Sequence, residues 1–345
     1  MRKILILLFT ILLLSCSEDS NNNIVAPQTI SPIAKEYINS ALDIMQNHSI
    51  NRYKIEWTPF REKTFEFAGK AQETVQTYDA IKYALKNLED NHSFFIEPNN
   101  NLQLTSTVQS HSNFVNNLFK TNTELLGIRI TKNIGFLRIP PFSGSTEATI
   151  KFAIEIQDLI KEVDTSIVKG WVVDLRQNTG GNMWPMLAGV GPILGNGLAG
   201  KFVDPDSNIT NWYYEDGKSI LGNSTIVQVE NYYKLLNPNP YVAVLTDDRT
   251  ASSGEAMVIA FRGREQTKSF GGETFGVSTA NRGFPLSDGA MLILTVSTMA
   301  DRDGNLYGYK ITPDRVIEGE FREDPTIYVY DPVLYESINW LENNM

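Results

Sequence analysis

The sequence predicts an α/β protein preceded by a small helical unit, and three observations carry that expectation. From Ile134 onward, strand-like apolar runs alternate with helix-like ones. Before Asn91, apolar residues recur at helical spacing. A polar stretch over 96–126, rich in Asn, Gln, Ser and Thr, separates the two regions. The chain has 345 residues, 42% of them hydrophobic and 20% charged, enough for a sizeable core in one large domain or two.

The N-terminus reads as a targeting segment. Met1-Arg2-Lys3 precede an apolar run from Ile4 to Leu14, the form of a signal peptide, and that run is too short to span a bilayer. It ends in Leu13-Leu14-Ser15-Cys16, which resembles a bacterial lipobox; Cys16, the only cysteine, is then the expected lipidated first residue. With no second cysteine, disulfides and cysteine-based metal or nucleophile chemistry are excluded. Residues 16–32 form a Ser-, Asn- and Pro-rich flexible tether, and Ser17 fits sorting to the outer membrane. The net charge is −10, and loss of Arg2 and Lys3 with the leader takes it to −12. Such a surface repels nucleic acid, and the lipid anchor makes a membrane the expected partner.

The elements follow in order. A helical unit is expected over 33–92, where Tyr37, Ala41, Ile44 and Met45 form one stripe and Tyr78, Ile81, Leu85 and Leu88 another, with a break at Trp57-Thr58-Pro59. A polar connection over 93–126 carries at most one short helix. The α/β core spans 127–330. In it, Ile134 to Ile139 and Gly170 to Leu175 read as strands. A helix between them has Ile150, Ala153, Ile154, Leu159, Ile160 and Val163 on one face. A further helix passes through Met186, Leu187 and Val190; residues 204–232 read as a polar insertion holding Trp212-Tyr213-Tyr214. Tyr241 to Leu245 is a strand, a helix begins near Gly254, and Met291 to Ser297 is a long strand; a C-terminal segment over 331–345 closes the chain.

Two turns carry chemistry. Thr250-Ala251-Ser252-Ser253-Gly254-Glu255 joins a strand to a helix, a setting that exposes a serine hydroxyl as a nucleophile and equally suits a plain helix cap. Asp174-Leu175-Arg176-Gln177-Asn178-Thr179-Gly180-Gly181-Asn182 also follows a strand, and its paired glycines let backbone N–H groups approach a substrate and hold an oxyanion. Asp174 and Arg176 read as a structural ion pair rather than a substrate contact. No His, Asp or Glu cluster has ligand spacing, so neither metal nor cofactor is expected.

These blocks resemble the tail-specific, or C-terminal processing, serine peptidase family (S41). Leu88-Glu89-Asp90-Asn91-His92-Ser93 is similar to its L-x-D-x-H-S/T segment, 174–181 to D-L-R-x-N-x-G-G, and 250–255 to S/T-A-S-x-x-E. Weaker matches lie at Gly272 to Gly276 and Ile311 to Asp314, so the likeness covers most of 33–318. The resemblance implies a crotonase-like (ClpP/crotonase) α/β core. It places the nucleophile on Ser252 and the oxyanion hole on the N–H of Ser253 and a glycine of Gly180-Gly181. Two departures matter. The base lysine that many members carry after T-F-G is absent, since Val277 and Ser278 follow Gly276, and 96–126 is too short for a PDZ domain. His92 extends the stripe of Tyr78 to Leu88 by four residues and becomes the candidate base, favoured in protonated form if it ends a helix. Its orienting partner is open, with Glu255, Asp301 and Asp303 as choices. The implied activity is that of a lipid-anchored serine endopeptidase of the cell envelope acting on a protein or peptide substrate; the alternative is a peptide- or ligand-binding lipoprotein that keeps the fold without turnover.

Overall fold

The computed structural model describes residues 29–98 and 123–345. The expected leader, the Cys16 lipidation site, the tether up to residue 28 and most of the polar connection lie outside the described residues. No described helix is long and apolar enough to cross a membrane.

Three helices open the chain: α1 (Pro32–His48), α2 (Trp57–Ala68) and α3 (Tyr78–Lys86). The expected stripes face inward, with Tyr37, Ala41 and Met45 of α1 packed against Tyr78, Ile81 and Leu85 of α3. α3 ends at Lys86, however, and Glu89 (φ 57°) and Asn91 (φ 56°) turn the chain out of helical geometry. The helical stripe therefore does not extend to His92, and a turn delivers that residue instead.

Two sheets build the rest. The first runs in the order β13-β10-β9-β4-β3-β2, from strands β2 (Leu126–Arg129), β3 (Ile134–Arg138), β4 (Gly170–Asp174), β9 (Tyr241–Thr246), β10 (Thr267–Gly271) and β13 (Arg315–Val316). All its pairings are parallel except β2 with β3. Its strands are apolar on both faces, as parallel strands covered by helices must be. Leu137, Trp171, Val173, Val242 and Val244 face the layer of α4 (Thr146–Val163), α5 (Met183–Leu194) and α6 (Ser253–Phe261). Phe136, Val172, Ala243 and Leu245 alternate with them and pack under α7 (Pro332–Asn344). On α4 the buried face is Phe152, Ala153, Ile156, Ile160 and Val163; Ile150 and Ile154, expected inward, are 40% and 39% exposed.

The second sheet is antiparallel, in the order β1-β12-β5-β6-β7-β8. Its strands are β1 (Phe94–Ile96), β5 (Gly197–Val203), β6 (Ile209–Glu215), β7 (Lys218–Leu221), β8 (Ser224–Gln228) and β12 (Met291–Ala300). The region 204–232, expected as a polar insertion, is thus largely a meander within this sheet, with Trp212 and Tyr214 of β6 buried. Among the described residues β11 (Thr279–Pro285) pairs with β12 alone; Thr298 of β12 pairs with Thr279 on one side and Val203 on the other, so β11 forms an edge of the described sheet. The helical unit docks on this hairpin, where the Tyr37 and Tyr78 hydroxyls donate to the two oxygens of Asp288 (2.7 and 2.6 Å).

Asp174 and Arg176 form the expected structural pair within a larger buried network. Arg176 donates to Asp174 (2.9 Å) and to both oxygens of Asp331 (3.0 and 2.8 Å), the N-cap of α7. Arg138 also donates to Asp174 (3.3 Å), and the Phe321 ring lies against both guanidiniums. Two cations and two anions leave the cluster neutral, and it locks the C-terminal helix to the end of β4. Removing one partner strands a buried charge. Asp331→Ala is therefore expected to lower unfolding free energy by about 3–5 kcal/mol in urea titrations. Glu336→Ala, which breaks the more exposed Arg315–Glu336 pair, should cost under about 1 kcal/mol.

Candidate active site

Parallel topology brings the two motif turns together. β4 pairs with β9 and β9 with β10, so the segments leaving their carboxyl ends emerge side by side: 175–182, 247–252 and 272–278. Crevices outside strand carboxyl ends are where open parallel sheets place their sites. Asn178 knits the first two segments. Its carbonyl accepts from Ala251 N (2.9 Å), its side-chain Oδ1 from Gly180 N (3.0 Å), and its Nδ2 donates to Ile139 O (3.0 Å). A Cβ at Gly254 would lie 2.4 Å from the Asn178 carbonyl oxygen, so this closeness requires glycine there.

Ser252 sits at the N-cap of α6 with φ 52° and ψ −112°, left-handed backbone that a serine adopts only when its surroundings impose it. Glu255 imposes it. This carboxylate is fully buried, and Oε2 accepts from the N–H of Ser252 and of Val277 (both 2.9 Å). Oε1 accepts from the Thr274 hydroxyl (2.6 Å) and Gly276 N (3.0 Å). Burial pushes the Glu255 carboxyl up to about 7 against these four donors, which favour the anion. Glu255 thus ties the serine turn to 274–277 and is not available to orient His92.

The glycine pair lies directly against the serine. Gly180 and Gly181 have φ of +104° and +108°; a Cβ on Gly180 would be 2.9 Å from Ser252 Cβ, and one on Gly181 2.1 Å from Phe142 O. The Ser253 hydroxyl donates to Gly181 O (2.7 Å), clamping the two turns together. Gly180 N–H is spent on Asn178, which removes it from the expected oxyanion donors. The N–H of Gly181, an exposed residue, is left, beside the N–H of Ser253, the first residue of α6, which has no intrahelical acceptor.

His92 reaches the same region from the helical unit. Asp90 Oδ1 accepts from the N–H of His92 (3.0 Å) and Ser93 (2.8 Å), shaping the turn. The imidazole Nδ1 lies 2.8 Å from the hydroxyl of Thr279, the first residue of β11. With Nδ1–H donating there, Nε2 keeps a free lone pair. His92 and Ser252 are not hydrogen-bonded to each other among the described residues. They are linked through one short segment: Glu255 holds Ser252 and Val277, Thr279 N donates to Val277 O (2.7 Å), and Thr279 holds His92. The orienting group is therefore a hydroxyl 187 residues away in sequence. Asp301 is engaged with Asn305 and Tyr307, and Asp303 lies by Gly263. No sequence motif signalled Thr279. Burial lowers the His92 pKa to about 4 despite the Asp90 charge, the reverse of the helix-end effect expected from sequence. Among the described residues no group of three or more His, Cys, Asp or Glu is arranged to hold a metal ion.

Residues 133–317 match the sequence profile described as peptidase family S41. The nisin-resistance protein of Lactococcus lactis subsp. lactis is 28% identical over 286 residues, covering 83% of this chain and 84% of that protein. The carboxy-terminal processing protease CtpA of Bacillus subtilis (strain 168) is 29% identical over 172 residues, covering 50% of this chain. The match takes in only 32% of CtpA itself. A lipoprotein from Streptococcus agalactiae has the same fold, with a TM-score of 0.68 at 23% identity over 92% of this chain and 98% of that one.

The His92 environment has a measurable consequence. Between pH 6.5 and about 4 the unfolded chain binds a proton that folded His92 refuses, so its contribution to stability falls as pH falls through that window. Urea titrations across this range should show the unmodified protein losing more stability than His92→Gln.

Proposed function

The chain belongs to peptidase family S41, and on that footing we propose that it is a serine endopeptidase of the cell envelope, anchored by a lipid on Cys16. Ser252 is the nucleophile and His92 the base. The observation that carries this reading is the backbone of Ser252: a left-handed serine at a strand-to-helix turn, its N–H fixed by a buried carboxylate and its Cβ set against Gly180 of the neighbouring turn. The Glu255 contact alone is one half of a capping box, which any helix start can carry; the positive φ of Ser252 and its closeness to Gly180 are what a cap does not need.

In the proposed reaction His92 Nε2 takes the Ser252 proton while Nδ1–H stays on Thr279, and Ser252 Oγ attacks the peptide carbonyl. Hydrogen bonds of this kind tighten when substrate binds. The N–H groups of Gly181 and Ser253 hold the developing oxyanion, aided by the α6 N-terminus. The imidazolium returns its proton to the leaving amine, leaving an acyl-enzyme that water hydrolyses with His92 again as base. With its pKa lowered to about 4, His92 is neutral at pH 7 and can accept a proton, but as a weaker base than an ordinary imidazole. No lysine occupies the position after Gly276, and none is needed in this scheme. The outer membrane is the proposed location, resting on Ser17 and the leader. The name of the Lactococcus lactis relative makes nisin the first substrate to offer.

A binding lipoprotein without turnover is the competing reading, favoured by Val277 in place of the lysine. Fluorophosphonate labelling separates the two. The peptidase reading expects labelling that Ser252→Ala abolishes and that His92→Ala slows by about 10²–10⁴. Thr279→Val should slow it to a lesser degree. Complete absence of labelling on the intact protein overturns the reading. The labelling rate should also persist below pH 6.5 and fall away only toward pH 4, where His92 protonates.

A further inference from the structure

The reading of Ser252 as a nucleophile leaves open how a peptide is held, and the edge strand β11 supplies an answer that rests on that reading. Among the described residues β11 hydrogen-bonds to β12 on one side only. Its first residue, Thr279, holds the His92 imidazole, so the open edge begins at the proposed base.

The hairpin fixes which groups of that edge face outward. At its turn Leu286 N donates to Ala290 O (2.8 Å). Opposed residues of an antiparallel pair alternate between those that exchange hydrogen bonds and those that do not. Counting back along the register, Phe284 opposite Leu292 and Arg282 opposite Leu294 point their backbone groups at β12. Pro285, Gly283 and Asn281 point theirs away. Pro285 has no N–H to offer, as suits an exposed edge. Asn281 and Gly283 remain, two residues apart, each presenting an N–H and a C=O at the spacing an added strand requires. Gly283 is exposed and carries no side chain, so another backbone can come close.

Asn281 gives a second, independent sign of a ligand. Its Nδ2 donates to His92 O (2.9 Å), while its Oδ1 is buried and accepts nothing among the described residues. A buried acceptor without a donor costs free energy, and a donor brought in by a bound chain would relieve it.

We propose that β11 is the substrate-docking strand: an extended polypeptide adds to its open edge, pairing with Asn281 and Gly283, and is thereby led to Ser252 and His92. Gly283 lies four residues from Thr279, about 13 Å along the strand, so the paired residues sit within a few positions of the bond to be cut. Main-chain pairing makes recognition tolerant of side chains and demands an unfolded, strand-competent segment. It rejects proline and N-methylated residues at the paired positions.

The test reads binding, so it does not depend on turnover. In a Ser252→Ala background, fluorescein-labelled casein, an unfolded polypeptide, is titrated by fluorescence anisotropy. Gly283→Ala keeps the outward N–H, its added Cβ meeting only the flexible ends of Met291 and Ile293. This variant should bind within about threefold of its parent. Gly283→Pro removes that N–H without touching a β12 hydrogen bond and should weaken binding at least tenfold. Absence of casein binding, or equal affinity of the Ala and Pro variants, overturns the proposal. With Ser252 intact, the urea midpoint of Gly283→Pro, unchanged from the parent's, reports a folded protein. If Gly283→Pro does not fold, competition on the Ser252→Ala protein decides. The peptide Lys-Thr-Val-Thr-Val-Thr-Val-Lys should displace casein, and its alternately N-methylated form should not; equal displacement overturns the proposal. Loss of labelling in every form, with edge binding intact, would instead sink the nucleophile assignment alone.

Discussion

The candidate site depends on one buried carboxylate. Among the described residues no cation pairs with Glu255; four hydrogen-bond donors from two segments compensate it instead. That arrangement is demanding, because each donor withdrawn leaves a buried anion less satisfied. It fixes Ser252 in a conformation serine otherwise avoids, and it pulls 274–277 against the serine turn. From there the chain needs only two more residues to reach Thr279 and the His92 ring. The position after Gly276, where a lysine would stand, holds a valine whose N–H is one of Glu255's four donors. Geometry rather than charge pairing holds this region together.

The remaining architecture serves to present that carboxylate and the turns around it. Adjacent parallel strands deliver three segments to one end of a sheet, and Asn178 and Ser253 clamp two of them with backbone-directed hydrogen bonds. The neutral cluster of Arg138, Asp174, Arg176 and Asp331 fastens the base of the first turn to the C-terminal helix. The helical unit has a separate task. It docks through Asp288 and its apolar stripes, and its last turn carries His92 across to the core.

What could be read from sequence follows the range of the interactions involved. The serine turn and the glycine pair are local chemistry: a strand end, small residues and a helix start within ten positions. The α/β alternation was visible for the same reason. His92 is legible through its motif but not through helix geometry, because α3 ends at Lys86, six residues before it, and Glu89 and Asn91 then turn the chain. Ile150 and Ile154 point outward because the α4 face that packs is rotated toward Phe152 and Ile156. The strands of 209–228 are hard to read in the sequence because the alternation around Trp212 and Tyr214 is short and interrupted by polar turns. Thr279 had no local signal, since its partner lies 187 residues away and only the tertiary fold joins them. The loss of Gly180 N–H to Asn178 is equally invisible without coordinates.

The measurement that bears most directly on the central claim is a crystal structure of the fluorophosphonate adduct. The account predicts phosphorus bonded to Ser252 Oγ and the phosphonyl oxygen within hydrogen-bond distance of Gly181 N and Ser253 N. It also predicts His92 still on Thr279 with Nε2 turned toward the serine oxygen. A phosphonyl oxygen bound to Gly180 N, or a His92 ring turned away from an adduct on Ser252, would contradict it.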